Sequence, residues 1–161
     1  MTRMFLAAGA AVLLVGCGSE QAAAPVKAEK LTPGHYEVQA TVASFRSTDG
    51  NTPQVQAKQG EVVTTQACVG ADGVPPPELF AAKGDQCTVQ SPYVRGGRMN
   101  LTIDCNRPGT DGKIMTEVNG SFTADSLDGS VSTTSFIQGP GDYELKADVK
   151  GRRVGECRAA A

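Results

Sequence analysis

The sequence predicts an all-β domain, an antiparallel meander or half-barrel of about seven strands with one short helix and two disulfides. Three observations predict this class. Apolar and polar residues alternate with period two in several stretches, as half-buried strands require. Gly, Pro and Asp-Gly signals separate those stretches. Cysteines are scattered singly and Trp is absent, so we expect cross-links to supplement a modest core.

The amino-terminal end is typical of a bacterial lipoprotein signal. Arg3 gives a basic start, the apolar run Met4–Val15 follows, and a small residue leads to Cys17. At about a dozen residues the run is shorter than the ~20 that a membrane-spanning helix needs, so it is interpreted as a processed targeting signal. It resembles the lipobox, in which the cysteine is acylated and cleavage occurs just before it. We therefore expect a signal peptide over 1–16 and a lipid such as palmitate on Cys17.

The remaining chain is expected to have three parts. Residues 17–32 are Ala-rich and polar without apolar periodicity, which predicts a flexible tether with a reach of roughly 20 Å. Residues 33–157 are the β domain, and 158–161 are a short tail. Gly18 follows the lipid-bearing cysteine, where enterobacterial sorting uses aspartate to retain a lipoprotein in the inner membrane. This favours the outer membrane, with the domain facing the periplasm.

The first two strands are predicted from alternation. The first covers Tyr36–Val42, whose odd positions are polar and whose even positions are apolar. Phe45 breaks the alternation, which indicates a bulge or the end of the strand. The second strand is expected at Glu61–Ala67 and leads directly to Cys68.

A proline-rich segment follows the second strand. Pro75, Pro76 and Pro77 exclude a strand, and a proline before a short polar-apolar stretch with Gly84 after it favours a helix. We predict one short helix over about residues 76–83, with Leu79 and Phe80 against the sheet.

The next two strands are predicted to form a hairpin around a three-residue loop, Arg95–Gly97. Setting Val94 opposite Arg98 fixes the register, so that Cys87 lies opposite Cys105. Opposed residues on neighbouring strands have Cβ atoms about 4.5–5.5 Å apart, which is close to disulfide reach. All the opposed pairs of this register lie on one face: Tyr93 with Met99, Ser91 with Leu101, Val89 with Ile103, and Cys87 with Cys105.

Four cysteines remain once Cys17 is assigned to lipid, and an even number in an exported domain predicts two disulfides. The hairpin register predicts Cys87–Cys105 and, by elimination, Cys68–Cys157, out of three connectivities. The alternative is a four-thiolate zinc site, but such sites usually show paired CxxC-like spacing.

The last strands follow the same logic. A strand over 114–124 has one apolar face, and Asp128-Gly129 signals the turn after it. Val131–Ile137 returns, Gln138–Gly141 breaks the chain, and Tyr143–Val149 alternates as a last strand with one face in water.

Several marks occur in order along the chain: Pro33-Gly34-His35-Tyr36-Glu37, the Pro-rich segment after Cys68, the Cys87–Cys105 hairpin, Gly120-Ser121-Phe122-Thr123 and Arg152-Arg153-Val154-Gly155-Glu156-Cys157. Together these marks resemble a bacterial exported family known as domain of unknown function 3617. The resemblance covers about residues 33–157 and depends on the order of motifs and the four-cysteine framework. His35-Tyr36 stands where that family typically has a Trp. The resemblance implies a small exported β domain and no activity.

Other candidate sites have ordinary structural explanations. The single histidine has no recognisable nucleophile motif beside it, so no catalytic residue is expected. The turn aspartates lack the ligand spacing of a calcium loop. The prolines are interpreted as a rigid connector rather than a polyproline ligand. The arginines are interpreted as a solvated sheet rim, with a basic patch for lipid headgroups or an acidic partner as the alternative. These residues are His35; Asp125, Asp128 and Asp142; Pro75–Pro77; and Arg95, Arg98, Arg107, Arg152 and Arg153.

The function predicted from the sequence is a non-catalytic binding or structural module, anchored to the membrane through Cys17. The net charge is −2, and the sequence does not indicate the clustered basic face that is usual in nucleic-acid-binding proteins. No enzyme, metal or cofactor is predicted. Two further functions stay open: an inhibitor of a cell-wall hydrolase, and a carrier of a small apolar ligand. The partner is accordingly an envelope protein or a small apolar molecule.

Overall fold

Seven strands and one 3-10 turn make up the regular structure of residues 27–139 and 141–157, which are the residues that the computed structural model describes. The predicted all-β class is confirmed. The predicted signal peptide 1–16, the lipid site Cys17 and the tail 158–161 lie outside the described residues. The strands are β1 Gly34–Ser47, β2 Val62–Val69, β3 Gln86–Arg95, β4 Arg98–Asn106, β5 Gly112–Phe122, β6 Ser126–Ile137 and β7 Tyr143–Gly155, with the 3-10 turn at Pro77–Leu79.

The strands form one antiparallel sheet in the order β2-β1-β7-β6-β5-β4-β3. Because each strand has one apolar face, the sheet curls on itself to cover that face and becomes a half-barrel. All neighbours are antiparallel, so the two edge strands, β2 and β3, run in the same direction. The connection between them contains the prolines and the 3-10 turn, and this turn contacts both edges. Within the described residues, no helix is long and apolar enough to cross a membrane.

One end of the half-barrel is tightly packed around Tyr36. The Tyr36 side chain is fully buried, and its hydroxyl lies 2.9 Å from the carbonyl oxygen of Thr32 and 3.0 Å from that of Ala124, which share its proton. Burial raises the pKa of this phenol. Leu31 is fully buried in the same cluster. The segment predicted to be a tether, 17–32, is described only from Lys27 onward, and there it packs on the domain because Leu31 has an apolar site to fill.

The predicted short helix is confirmed but is shorter than the expected range 76–83, since only Pro77–Leu79 is helical and forms a 3-10 turn. The connection has to cross from one sheet edge to the other, and so short a segment forms no stable α-helix of its own. Leu79 is buried and Phe80 packs against the core, as predicted.

The β3–β4 hairpin corrects the predicted register near its turn. Arg95 lies opposite Arg98, so the loop is the two-residue pair Gly96-Gly97, both with positive φ. Such a two-glycine turn matches the twist of the strands better than a longer loop does. A bulge at Gln90 adds one residue to β3, which returns Val89 to Ile103 and Cys87 to Cys105, as predicted. The other predicted pairs are shifted: Val94 faces Met99, Tyr93 faces Asn100, Pro92 faces Leu101 and Ser91 faces Thr102.

The turn predicted at Asp128-Gly129 is also wrong, because both residues lie inside β6. Gly129 lies opposite Gly120, and a Cβ on either would overlap the backbone of the other strand. The glycines therefore permit a close approach of β5 and β6, and the chain turns at residues 123–125 instead. In β1, the predicted irregularity near Phe45 is confirmed as a register shift between Val42 and Ser44.

Both predicted cysteine pairs lie at disulfide distance. The Cα–Cα distance is 4.0 Å for Cys87–Cys105 and 5.6 Å for Cys68–Cys157. The first joins β3 to β4, and the second joins the end of β2 to the residue beyond β7.

Candidate functional site

The half-barrel contains a cavity of about 200 Å³ at the end away from Tyr36. The strands β1, β2, β4, β5, β6 and β7 line it, together with residues 55–57 of the β1–β2 connection and the segment that starts at the end of the 3-10 turn. Several of the lining side chains are small, whereas the large side chains of Tyr36 and Leu101 fill the other end. The small residues are Ala40, Ala81, Ala147, Thr116 and Thr133.

The polar atoms of the lining already have partners. Thr116 is only 1% exposed, and its hydroxyl oxygen lies 3.0 Å from that of Thr133 on the neighbouring strand. The hydroxyl of Thr65 donates to the carbonyl oxygen of Leu79 at 2.7 Å. Because these groups satisfy one another, they leave a mainly apolar wall, and the chemistry of the cavity suits an apolar guest.

A buried ion pair fixes the chain at the rim of the cavity. Asp85 lines the cavity, and its carboxylate accepts two hydrogen bonds of 2.8 Å from Arg107, one from Nε and one from Nη2. Only 4% of the Asp85 side chain and 13% of the Arg107 side chain are exposed. The bonds to Asp85 raise the pKa of Arg107, against the effect of burial. The pair holds the end of the proline-rich connection against the start of the loop after β4.

A surface groove lies next to the cavity, beside the edge strand β2. The groove has a volume of about 530 Å³ and lies between β2 and residues 78–87. Cavity and groove share Val63, Thr65, Ala81, Ala82 and Asp85. The shared residues therefore separate the cavity from the groove by no more than one layer of side chains and backbone.

This framework agrees with a comparison between the sequence and known protein families. The profile of a family described as protein of unknown function (DUF3617) matches residues 31–157, which is most of the chain. The chain belongs to this family. No curated protein and no solved structure matches it. Membership of this family therefore gives no activity for the DUF3617 protein.

The arginines considered for a basic patch in this DUF3617 protein do not act as one group. Arg107 is the buried partner of Asp85, a pairing that no local pattern in the sequence indicates. Three others pair with separate carboxylates on the surface: Arg95 with Glu29, Arg152 with Glu37, and Arg153 with Glu156. Arg98 lies opposite Arg95 at the β3–β4 turn.

The aspartates have structural roles. Asp142 accepts hydrogen bonds from the Ser135 hydroxyl at 3.0 Å and the Ile137 amide at 2.8 Å, which joins the ends of β6 and β7. Asp128 lies within β6, and the carbonyl oxygen of Asp125 accepts a bond from the Arg153 amide. In the described part of the chain no three His, Cys, Asp or Glu side chains are arranged to hold a metal ion.

His35 lies beside the Cys68–Cys157 disulfide rather than in the cavity. It is opposite Cys68 in the β1–β2 register, and its side chain contacts Gln66. The prolines form part of the connection between the sheet edges, and Pro75 is buried there.

Proposed function

We propose that this protein is a non-catalytic envelope lipoprotein that holds a small apolar molecule inside its half-barrel. The observation that supports the proposal is the cavity of about 200 Å³ with apolar walls. The lipid anchor is inferred from the signal that ends at Cys17. We prefer a carrier to an inhibitor of a cell-wall hydrolase, because the cavity supports a carrier and no comparable feature of the described residues supports an inhibitor.

The volume limits the size of the guest. An engineered apolar cavity of about 150 Å³ binds benzene, whereas sites for drug-sized molecules span about 300–1,000 Å³. A guest confined to this cavity is therefore the size of a single ring or a short aliphatic chain. A longer molecule would extend into the groove beside β2.

Binding of a fluorescent apolar probe, and its displacement by small ring compounds and short alkanes, tests the proposal. Ala147→Leu adds bulk to a residue that lines the cavity and is 3% exposed. Ala40→Leu does the same from β1. We expect either variant to weaken probe binding at least tenfold, because the added carbons occupy the guest's space.

The matched control is Ala43→Leu, which places the same side chain at an exposed position of β1. It should bind the probe as the unchanged protein does. Equal binding by the cavity variants and the control, with all three folded, would exclude the cavity as the site.

In cells, Cys17→Ala should move the protein from the membrane to the soluble fraction, and a membrane-bound variant would contradict the lipid anchor.

A further inference from the structure

The Cys68–Cys157 disulfide lies next to the single histidine of the chain. Sγ of Cys68 is 3.7 Å from Nδ1 of His35. Both cysteines are exposed, so a thiol in solution can approach them. The other disulfide differs on both counts, because Cys105 is 1% exposed and no second histidine exists to accompany it.

Hydrogen bonds among neighbouring side chains set the tautomer of the neutral His35 ring. Nε2 of Gln66 donates to Oε2 of Glu37 at 2.9 Å, which fixes the orientation of the Gln66 amide. Its oxygen, Oε1, therefore faces Nε2 of His35, at 3.2 Å. Because an amide oxygen only accepts, Nε2 of His35 must hold the proton in the neutral ring. Nδ1 is then an unprotonated acceptor, and it is the nitrogen that faces Sγ of Cys68.

Glu37 completes this arrangement. Its other oxygen accepts a hydrogen bond of 3.2 Å from Arg152, and the bonds from Gln66 and Arg152 lower the pKa of its carboxyl. The carboxylate holds Gln66, and Gln66 holds the ring. A base oriented by a second group, with its free nitrogen at a sulfur, is the arrangement that activates thiols in proteins.

The surface around the disulfide is concave. A pocket is formed there by His35, Gln66, Cys68, Val154, Gly155 and Glu156. The Val154 side chain is 45% exposed and offers an apolar contact beside the sulfurs. Cys68 lines this pocket and Cys157 is exposed next to Glu156, so a thiol-bearing peptide or small thiol has space to approach the disulfide.

We propose that Cys68–Cys157 is a thiol-exchange site in which His35 acts as the general base and acid. An incoming thiol gives its proton to Nδ1 of His35, and its sulfur bonds to Sγ of Cys157. The bond between Cys68 and Cys157 breaks, and its electron pair goes to Sγ of Cys68. The protonated ring then returns the proton to that sulfur. The products are a mixed disulfide on Cys157 and a free thiol on Cys68, and a second thiol completes the reduction.

Glutathione and mass spectrometry test the proposal. In the unchanged protein, brief treatment should give a glutathione adduct on Cys157, a free thiol on Cys68 and an intact Cys87–Cys105. We expect His35→Gln to slow adduct formation at least tenfold, since general acid–base catalysis commonly contributes 10²–10⁴-fold. An adduct chiefly on Cys68, or an unchanged rate in His35→Gln, would overturn the proposal.

Two further variants separate activation from mere exposure. Gln66→Leu keeps His35 but removes the group that orients it, so the rate should fall to a value between those of His35→Gln and the unchanged protein. Gln39→Leu changes an exposed residue of β1, the strand that carries His35, and should leave the rate of adduct formation unchanged. The rate at which iodoacetamide alkylates the Cys157→Ser variant is an independent test of whether His35 activates the Cys68 thiol. Its free Cys68 should react more slowly once His35→Gln is added, and equal rates would count against the proposal.

Discussion

At the scale of single residues, one ion pair places two charges in the interior of the domain. The Asp85–Arg107 pair is nearly buried and lies at the rim of the cavity, where it joins two loops. In the described residues, Nη1 of Arg107 is buried without a close hydrogen-bond partner, and Asp85 and then the Tyr143 phenol keep the pKa of Arg107 raised.

Removal of one member of this pair should therefore be costly. Asp85→Ala leaves the guanidinium buried without a counter-ion, and we expect the free energy of unfolding to fall by about 3–5 kcal/mol, as for other broken buried pairs. Urea unfolding followed by circular dichroism measures it. Asp128→Ala, an exposed aspartate in β6, is the control and should change stability little. A loss below about 1 kcal/mol for Asp85→Ala would mean that the pair is exposed in solution.

Asp49 predicts a pH effect at the residue scale. Hydrogen bonds from Asn51, its side chain first, lower the pKa of the Asp49 carboxyl to about 2. A lowered folded-state pKa stabilises the loop at pH values above the unfolded-state pKa, and this contribution is lost as the pH falls through about 2. An NMR titration should show this pKa. Asn51→Ala should raise it more than Ser47→Ala, because the Ser47 bond is the smallest contribution, and the reverse order would contradict the assignment.

At the scale of single residues, the sequence predicts which side chains are buried but not which distant side chains contact each other. Alternation correctly places Val38, Leu101 and Val118 in the core, because strand periodicity alone decides which face is buried. It does not reveal the pairing of Arg107 with Asp85, 22 positions apart, or that of His35 with Cys68. Those neighbours depend on sheet order, which the sequence pattern leaves open.

At the scale of elements, the close approach of two strands, rather than a local turn signal, explains the position of one Asp-Gly pair. Asp128-Gly129 has the composition of a turn, yet Gly129 is needed where β6 passes Gly120 of β5. Hairpin register shows the same limit. The cysteine pair is predicted correctly because the Gln90 bulge cancels the one-residue error at the turn, and a bulge has no clear signature in this sequence.

The Gly120–Gly129 contact gives a test of this view. In Gly129→Ala the new Cβ would overlap the carbonyl oxygen of Asn119, so the strands must separate. We expect a loss of about 1–3 kcal/mol in the free energy of unfolding, the usual cost of overpacking. Gly155→Ala is the matched control, because a Cβ there meets nothing within 4 Å. Equal stability of the two variants would show that the strands can separate without cost.

At the scale of the whole molecule, the two ends of the half-barrel have different roles. The end around Tyr36 is filled by large side chains and the chain before β1, and it provides most of the packing. The opposite end has small residues and the cavity. The sequence predicts a curled sheet, but not which end is hollow, because the volume of the cavity depends on residues from six strands.

The direction of the edge strands has a consequence for how a guest enters. With an odd number of alternating strands, the sheet cannot close on itself by antiparallel pairing, and a seam remains between β2 and β3. The proline-rich connection covers the seam with side-chain packing in place of a ladder of backbone bonds. A wall without that ladder opens at a lower free energy than one with it. For the proposed carrier we therefore infer that a guest enters through the side of the molecule, where the chain between Val69 and Gln86 covers the seam without pairing as a strand.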